Sequence, residues 1–251
     1  MTPNDDLGHA VQLNGPARRV VSLVPSLTES IAATRPDALV GATDWCTHPA
    51  DLDVTRVRGT KNPDRAAIVA LKPDLVLANR EENRELDIRR LREAGINVWV
   101  TVIETVDEAF ASMDRMFREG LGWDVPAWLG EAAEVWAAPV PSSGRRVAIP
   151  IWRDPWMVVG SRTFTGDLVG RLGHVNAFDD ADDRYPHVDL ADIDHDGIDL
   201  VLLPDEPYAF TADDGSEAFT HTPTALVSGR SLTWYGPSML TAREDLLAAI
   251  G

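Results

Sequence analysis

The sequence predicts an α/β protein of two three-layer lobes with mainly parallel sheets, joined by a bridging helix. Three observations carry this. Short, β-branched apolar runs alternate with helical patterns over residues 18–104, and the alternation restarts after residue 140. The links between runs are short, which suits parallel strands covered by helices on both faces. Residues 105–139 are helical in period and end in the proline-rich turn "APVPSSG". The expected lobes are therefore 1–104 and 140–251, with 105–139 as the helical link.

Each element has its own signal. Asn14-Gly15 marks a tight turn between two short extended pieces. In "RVVSLV" four of the five residues after Arg19 are apolar, as suits a strand buried on both faces, and the run stops at Pro25. Ser26 then stands as the cap of "LTESIAAT", with Glu29 at the capping-box position. "ALVGAT" reads as a strand. In "NPDRAAIVALKP", Asn62 is the expected cap, Pro63 the first helical residue and Pro73 the stop. "DLVLAN" is a strand and "NRELDIRRLREAG" a helix with Leu86, Ile88, Leu91 and Ala94 inward, followed by the strand "INVWVTV". Val106, Phe110, Met113, Phe117 and Leu121 share one helical face, and Pro126 opens "AWLGEAAEVWAA". In the second lobe "RRVAIPIW", "IDLVLLP" and "TALVSG" read as strands. "TFTGDLVGRLG", the short "VDLADIDHDG" and the closing "PSMLTAREDLLAAIG" read as helices.

Composition narrows the function. The chain has 251 residues, 44% apolar and 25% charged, a globular balance. A formal net charge of -17 repels nucleic acid and anionic lipid, so no nucleic-acid partner is expected. Cys46 is the single cysteine, so no intrachain disulfide can form. No apolar run approaches a membrane span, and the first residues lack the pattern of a signal peptide. With Met1 as the natural start, a cytoplasmic location is expected. The sequence contains no GxGxxG after a strand, no P-loop, no GxSxG and no HExxH. Cys46 and His48 in "WCTHP" are two metal-ligand types without a second pair, and read as a buried thiol and a turn histidine. "DDADDR" reads as a solvated acidic loop. No catalytic residue and no metal ligand is assigned.

The carboxyl ends of parallel strands are where such folds hold ligands. Here they are followed by "PSLTE", "DWCTHP", "REENR", "WRDPWM", "DEPYAF" and "RSLTWYGP". Trp45, Trp152, Trp156, Trp234, Tyr208 and Tyr235 all fall in these loops, whereas Trp99, Trp128 and Trp136 fall within strand or helix patterns and are assigned to packing. Rigid aromatics on loops suit a flat, bulky ligand; the competing role is capping the cores.

"RVVSLVPSLTE", "VGATDWCTHP", "KNPDRAAIVALKPDLVLA" and "EENR" resemble, in that order, the N-terminal lobe of class III periplasmic binding proteins, the helical-backbone metal receptors, and within them the cobalamin-binding group. "IWRDPWMVVG", "RYPHVDL", "LLPDEPYAF" and "LTWYGPS" continue the match through the second lobe. The resemblance implies Rossmann-like lobes holding a metal chelate between them: cobalamin first, with haem or a ferric siderophore as alternatives. It implies no enzyme activity and no covalent cofactor. A monomer is expected, serving an ABC permease and ATPase. Trp152 and Trp156 would meet apolar ligand faces, with Trp45, Tyr208, Trp234 and Tyr235 beside them. Arg80, Arg84, Arg153 and Arg184 would meet polar ligand edges. Glu29, Glu81, Glu82 and Glu206 would orient those arginines or accept ligand donors. The importer-docking acids fall on Asp64 and on Asp192 or its neighbour Ala191. Three features depart from the family: no export signal is seen, no lipid-attachment cysteine is present, and the bridging helix is only about 20 Å long where the family's usually runs longer. The alternative reading is a cytoplasmic sensor or enzyme on the same fold, using strand-end carboxylates for acid–base work.

Overall fold

The structure, a computed structural model, describes residues 2–251. It divides into two units. The first takes the described residues through Ile103, then Asp107–Gly130 and Tyr235–Pro237; the second takes Glu104–Val106, Glu131–Trp234 and Ser238–Gly251.

In the first unit the elements run Val20–Ser22 (β1), Pro25–Thr34 (α1), Leu39–Ala42 (β2), Thr55–Arg56 (β3), Arg58–Gly59 (β4) and Asn62–Pro63 (β5). Arg65–Ala70 (α2), Leu75–Asn79 (β6), Glu85–Glu93 (α3), Val98–Thr101 (β7) and Val106–Arg115 (α4) follow. Ala127–Ala137 (α5) starts in this unit. The sheet has the order β3-β2-β1-β6-β7, all parallel. Strands β1, β6 and β7 are buried along their whole length, as their unbroken apolar runs require. Val21, Val76, Val98 and Val100 pack with Ile68 of α2 and with Ile88 and Leu91 of α3. Each such side chain contributes about 1.5–3 kcal/mol on burial.

Four local expectations change here. Helix α1 begins one residue earlier than Ser26 predicts. Pro25 takes N1, where its fixed φ fits and its missing N–H is no loss, and Val24 is the cap residue without a side-chain bond. Ser26 and Glu29 therefore form no capping box. Asn62 does not cap α2 either. Asn62 and Pro63 pair with Gly59 and Arg58 in a small hairpin, and Asp64 becomes the cap, accepting from the Ala67 amide at 3.0 Å. On α3, Ile88 and Leu91 point inward but Leu86 and Ala94 are exposed. The third inward residue is Asp87, paired with Arg65. The face of Val106, Met113, Phe117 and Leu121 is buried, but the helix widens to a π-helix over Met116–Leu121 before Gly122 ends it at φ 66°. Gly120 lies against Trp99 so closely that a Cβ would sit 2.8 Å from the indole.

The N-terminal segment is tied to this unit by two acids. Asp5 is buried, pairs with Arg92 and accepts from the Leu7 and His9 amides at 3.0 and 2.8 Å. Asp6 accepts from the Val102 amide at 3.0 Å and pairs with Arg115 at 2.7 Å.

The second unit runs Arg146–Ala148 (β8), Pro150–Trp152 (β9), Met157–Val158 (β10), Phe164–Arg171 (α6), Val175–Asn176 (β11), Leu200–Pro204 (β12), Thr224–Val227 (β13), Gly229–Thr233 (α7) and Met239–Ile250 (α8). Its sheet has the order β11-β8-β12-β13, all parallel. The single strand expected over 145–152 breaks at Ile149. Strand β8 stays in the sheet, whereas β9 turns away and pairs antiparallel with β10. The helix expected in "VDLADIDHDG" shrinks to one 3-10 turn over Leu190–Asp192, and α7 is an element the periodicity did not show. The helices α6 and α8 form where expected, α6 behind a Thr163 cap.

Candidate functional site: aromatic and charged loops at the strand ends

Because each sheet is parallel, its carboxyl ends share one edge, and the loops leaving that edge lie side by side in each unit.

In the first unit, the loop after β2 displays Trp45, whose residue is 66% exposed. Its base is rigid. Cys46 is fully buried, with the Thr28 hydroxyl donating to its sulfur at 2.9 Å, and burial pushes the thiol's pKa up. Arg56 donates from one guanidinium nitrogen to the Thr43 and Cys46 carbonyls, both at 2.9 Å. The indole stands beside the β4–β5 hairpin, where a Cβ on Gly59 would lie 3.4 Å from its Nε1.

The loop after β6 is built on two buried asparagines that sequence reasoning passed over. Asn79 donates to the Thr101 hydroxyl at 3.1 Å and accepts from the Glu81 amide at 2.8 Å. Asn83 accepts from the Asn79 amide at 2.9 Å and donates to the Thr60 carbonyl at 3.0 Å. This turn leaves Arg80 and Arg84 exposed and Glu81 and Glu82 half-buried. Lys61, also unpredicted, donates to the Glu81 carbonyl. Burial raises the Glu82 pKa, and the Lys61 charge opposes that shift. The signal available in the sequence was a pair of asparagines bracketing three charged residues, Arg80, Glu81 and Glu82, at a strand end.

Tyr235 belongs to this unit and differs from its expected role. It is buried, and its hydroxyl is hydrogen-bonded with Ser26 and Thr101. Burial pushes the phenol above its ordinary range. Glu29 is likewise buried, next to the same segment: a Cβ on Gly236 would sit 2.8 Å from Ser30 Oγ and 3.8 Å from Glu29 Oε2.

In the second unit, the β9–β10 turn and the loop after β12 meet. Trp152 is 47% exposed and stands edge-to-face on Tyr208, centroids 5.4 Å apart. Tyr208 packs on Phe210 at 4.7 Å. Trp156 is not a pocket wall. It is 8% exposed, stacked on Phe210 at 6.0 Å and edge-on to Phe219 at 5.5 Å, within the apolar core. Trp234 is also buried, with the Arg230 guanidinium 5.9 Å from its ring.

The arginines are engaged within the protein. Arg153 lies over Trp156 at 5.4 Å, donates to Glu217 at 2.8 Å and also pairs with Asp214. The Tyr208 hydroxyl donates to the other Asp214 oxygen at 2.8 Å. Arg184 pairs with Glu104. Both guanidinium groups, expected at a polar ligand edge, are here paired with carboxylates. Glu206 is half-buried under Gly229, where a Cβ would meet its side chain at 2.3 Å. Asp64 is half-buried and caps α2, with Arg58 at 3.5 Å. Asp192 is exposed and completes a capping box with Asp189.

Among the described residues no three His, Cys, Asp or Glu converge on a metal-sized site. Among the described residues no helix is long and apolar enough to cross a membrane. A groove of about 430 Å³ runs along α6 past Arg162, Asp167, Arg171 and Asn176, away from the aromatics described above.

No protein-family model matches the chain. The vitamin B12-binding protein of Vibrio cholerae is 24% identical over 188 residues, covering 71% of this chain and 67% of the relative. The solved structure of the periplasmic vitamin B12 binding protein BtuF of Vibrio cholerae superposes with a TM-score of 0.72 at 19% identity, covering 94% of this chain and 97% of the other. The periplasmic heme-binding protein RhuT of Roseiflexus, in apo form, gives 0.73 at 19% identity, covering 93% and 97%.

Proposed function

We propose that this chain, which has the fold of the class III periplasmic binding proteins and resembles their cobalamin-binding group in sequence, captures a metal chelate, a corrinoid before haem or a ferric siderophore. The observation that carries this reading is the display of Trp45 and Trp152 at strand carboxyl ends. An exposed indole on a rigid loop presents a large apolar face at low entropic cost. In the first unit Arg80, Arg84 and Glu81, on the loop after β6, offer charged groups to a polar ligand edge. The ligand brings its metal already chelated, so capture needs apolar faces and hydrogen bonds, and no bond is made or broken. The relatives' naming as binding proteins supports a role without catalysis. An importer permease is the proposed partner, met through the partly exposed Asp64 and Asp192.

Calorimetry and tryptophan quenching with hydroxocobalamin, haemin and a ferric siderophore test this. Binding of one of them in the micromolar range or tighter is expected. Affinity weaker than about millimolar for all three, some 4 kcal/mol, removes the proposal.

A further inference from the structure

The chain from Tyr208 to Phe219 folds around Phe210. Gly215 turns it at φ 114°, and a Cβ there would sit 2.4 Å from the Phe210 ring, so the turn closes only on glycine. The Thr211 amide donates to the Asp214 carbonyl at 2.9 Å, and the Glu217 carboxylate accepts from the Gly215 amide. Three carboxylates, those of Asp154, Asp214 and Glu217, gather around the Arg153 guanidinium.

We infer that Arg153 is a positioning residue: acting through Asp214 and Tyr208, it sets the direction in which the Trp152 indole is presented. The inference rests on the ligand-capture reading above and reassigns Arg153 from ligand anchor to support. The chain of contacts is continuous. Arg153 holds one oxygen of Asp214, and the other oxygen accepts the Tyr208 hydroxyl. The Tyr208 ring, fixed by that bond and by Phe210, meets Trp152 at 80°. An edge-to-face contact fixes an angle as well as a distance. Without the guanidinium, three like charges face one another and Asp214 loses the cation that holds it toward Tyr208.

The test uses the full chain. The Trp152 signal is the fluorescence difference between each protein and its Trp152→Phe counterpart. Arg153→Ala is expected to shift that signal to the red and raise its acrylamide quenching. Tyr208→Phe keeps the ring but loses the hydroxyl bond, and should move the signal the same way by less. In hydroxocobalamin titrations Arg153→Ala and Trp152→Ala should each weaken binding about three- to tenfold. The double variant should be no weaker than Trp152→Ala alone, because both changes remove one unit. Unchanged quenching in both Arg153→Ala and Tyr208→Phe, or additive losses in the double variant, overturns the inference. Should Arg153→Ala fail to fold by circular dichroism, Tyr208→Phe and Asp214→Asn carry the same test. If the unaltered protein takes up no chelate, the capture reading fails, and the relay is judged by the quenching data alone.

Discussion

Trp45 and Trp152 are the side chains whose removal should be felt most by a ligand and least by the fold. Each stands largely clear of the core, so Trp45→Ala should weaken chelate binding about three- to tenfold while the melting temperature stays nearly unchanged. Titration beside a thermal melt separates the two effects. Trp156→Ala should do the reverse, costing about 3–5 kcal/mol of stability, because its ring is stacked inside an apolar cluster. The Arg153 cluster adds a pH dependence. The Asp214 carboxyl is held below its ordinary range first by the Tyr208 hydroxyl and then by Arg153, and that of Glu217 first by Arg153. A carboxyl depressed in the folded state stabilises fully above its unfolded pKa, near about 4, and loses that contribution only as pH falls through the lower folded value. The Trp152 emission should therefore be flat from neutral pH to about pH 4 and shift only below it. A shift centred near pH 6 would contradict this.

The elements were legible where one pattern dominates. Unbroken apolar runs identified β1, β6, β7 and β12, since only a two-sided core accepts them. Helix starts were less legible, because two residues competed for each cap. At α1 Ser26 yields the cap to Val24, because Pro25 takes N1, and its hydroxyl bonds to Tyr235, a partner far away in sequence. Asn62 lost to Asp64 at α2, because Asn62-Pro63 is drawn into a hairpin with Arg58-Gly59. The new assignment makes a prediction: Asp64→Ala should cost about 1 kcal/mol and Asn62→Ala much less, by urea denaturation. Equal losses would restore the earlier cap. The break of 145–152 into β8 and β9 was hidden because Ile149-Pro150-Ile151 keeps an apolar pattern while its hydrogen bonds change partner from the sheet to β10.

At the scale of the molecule, acidity and burial decide different things. The net charge of -17 predicts self-repulsion, so raising salt from low to about 1 M should raise the melting temperature as screening shortens to about 3 Å. Buried Asp5 behaves otherwise. It joins the N-terminal segment to Arg92, and Asp5→Ala should cost about 3–5 kcal/mol by leaving that cation unpaired. By itself the sequence determined the α/β class, the parallel sheets and which loops leave their carboxyl ends, because periodicity and apolar runs are local properties. It also placed Trp45 on one of those loops, whereas Trp152 closes strand β9 of the antiparallel β9–β10 pair. Only the tertiary structure decided that Trp156, Trp234 and Tyr235 are buried, that Arg153 and Arg184 face carboxylates, and that Asn79 and Asn83 build a turn. Those outcomes depend on partners distant in sequence, such as Asp214 for Arg153 and Glu104 for Arg184, and no local pattern names a partner.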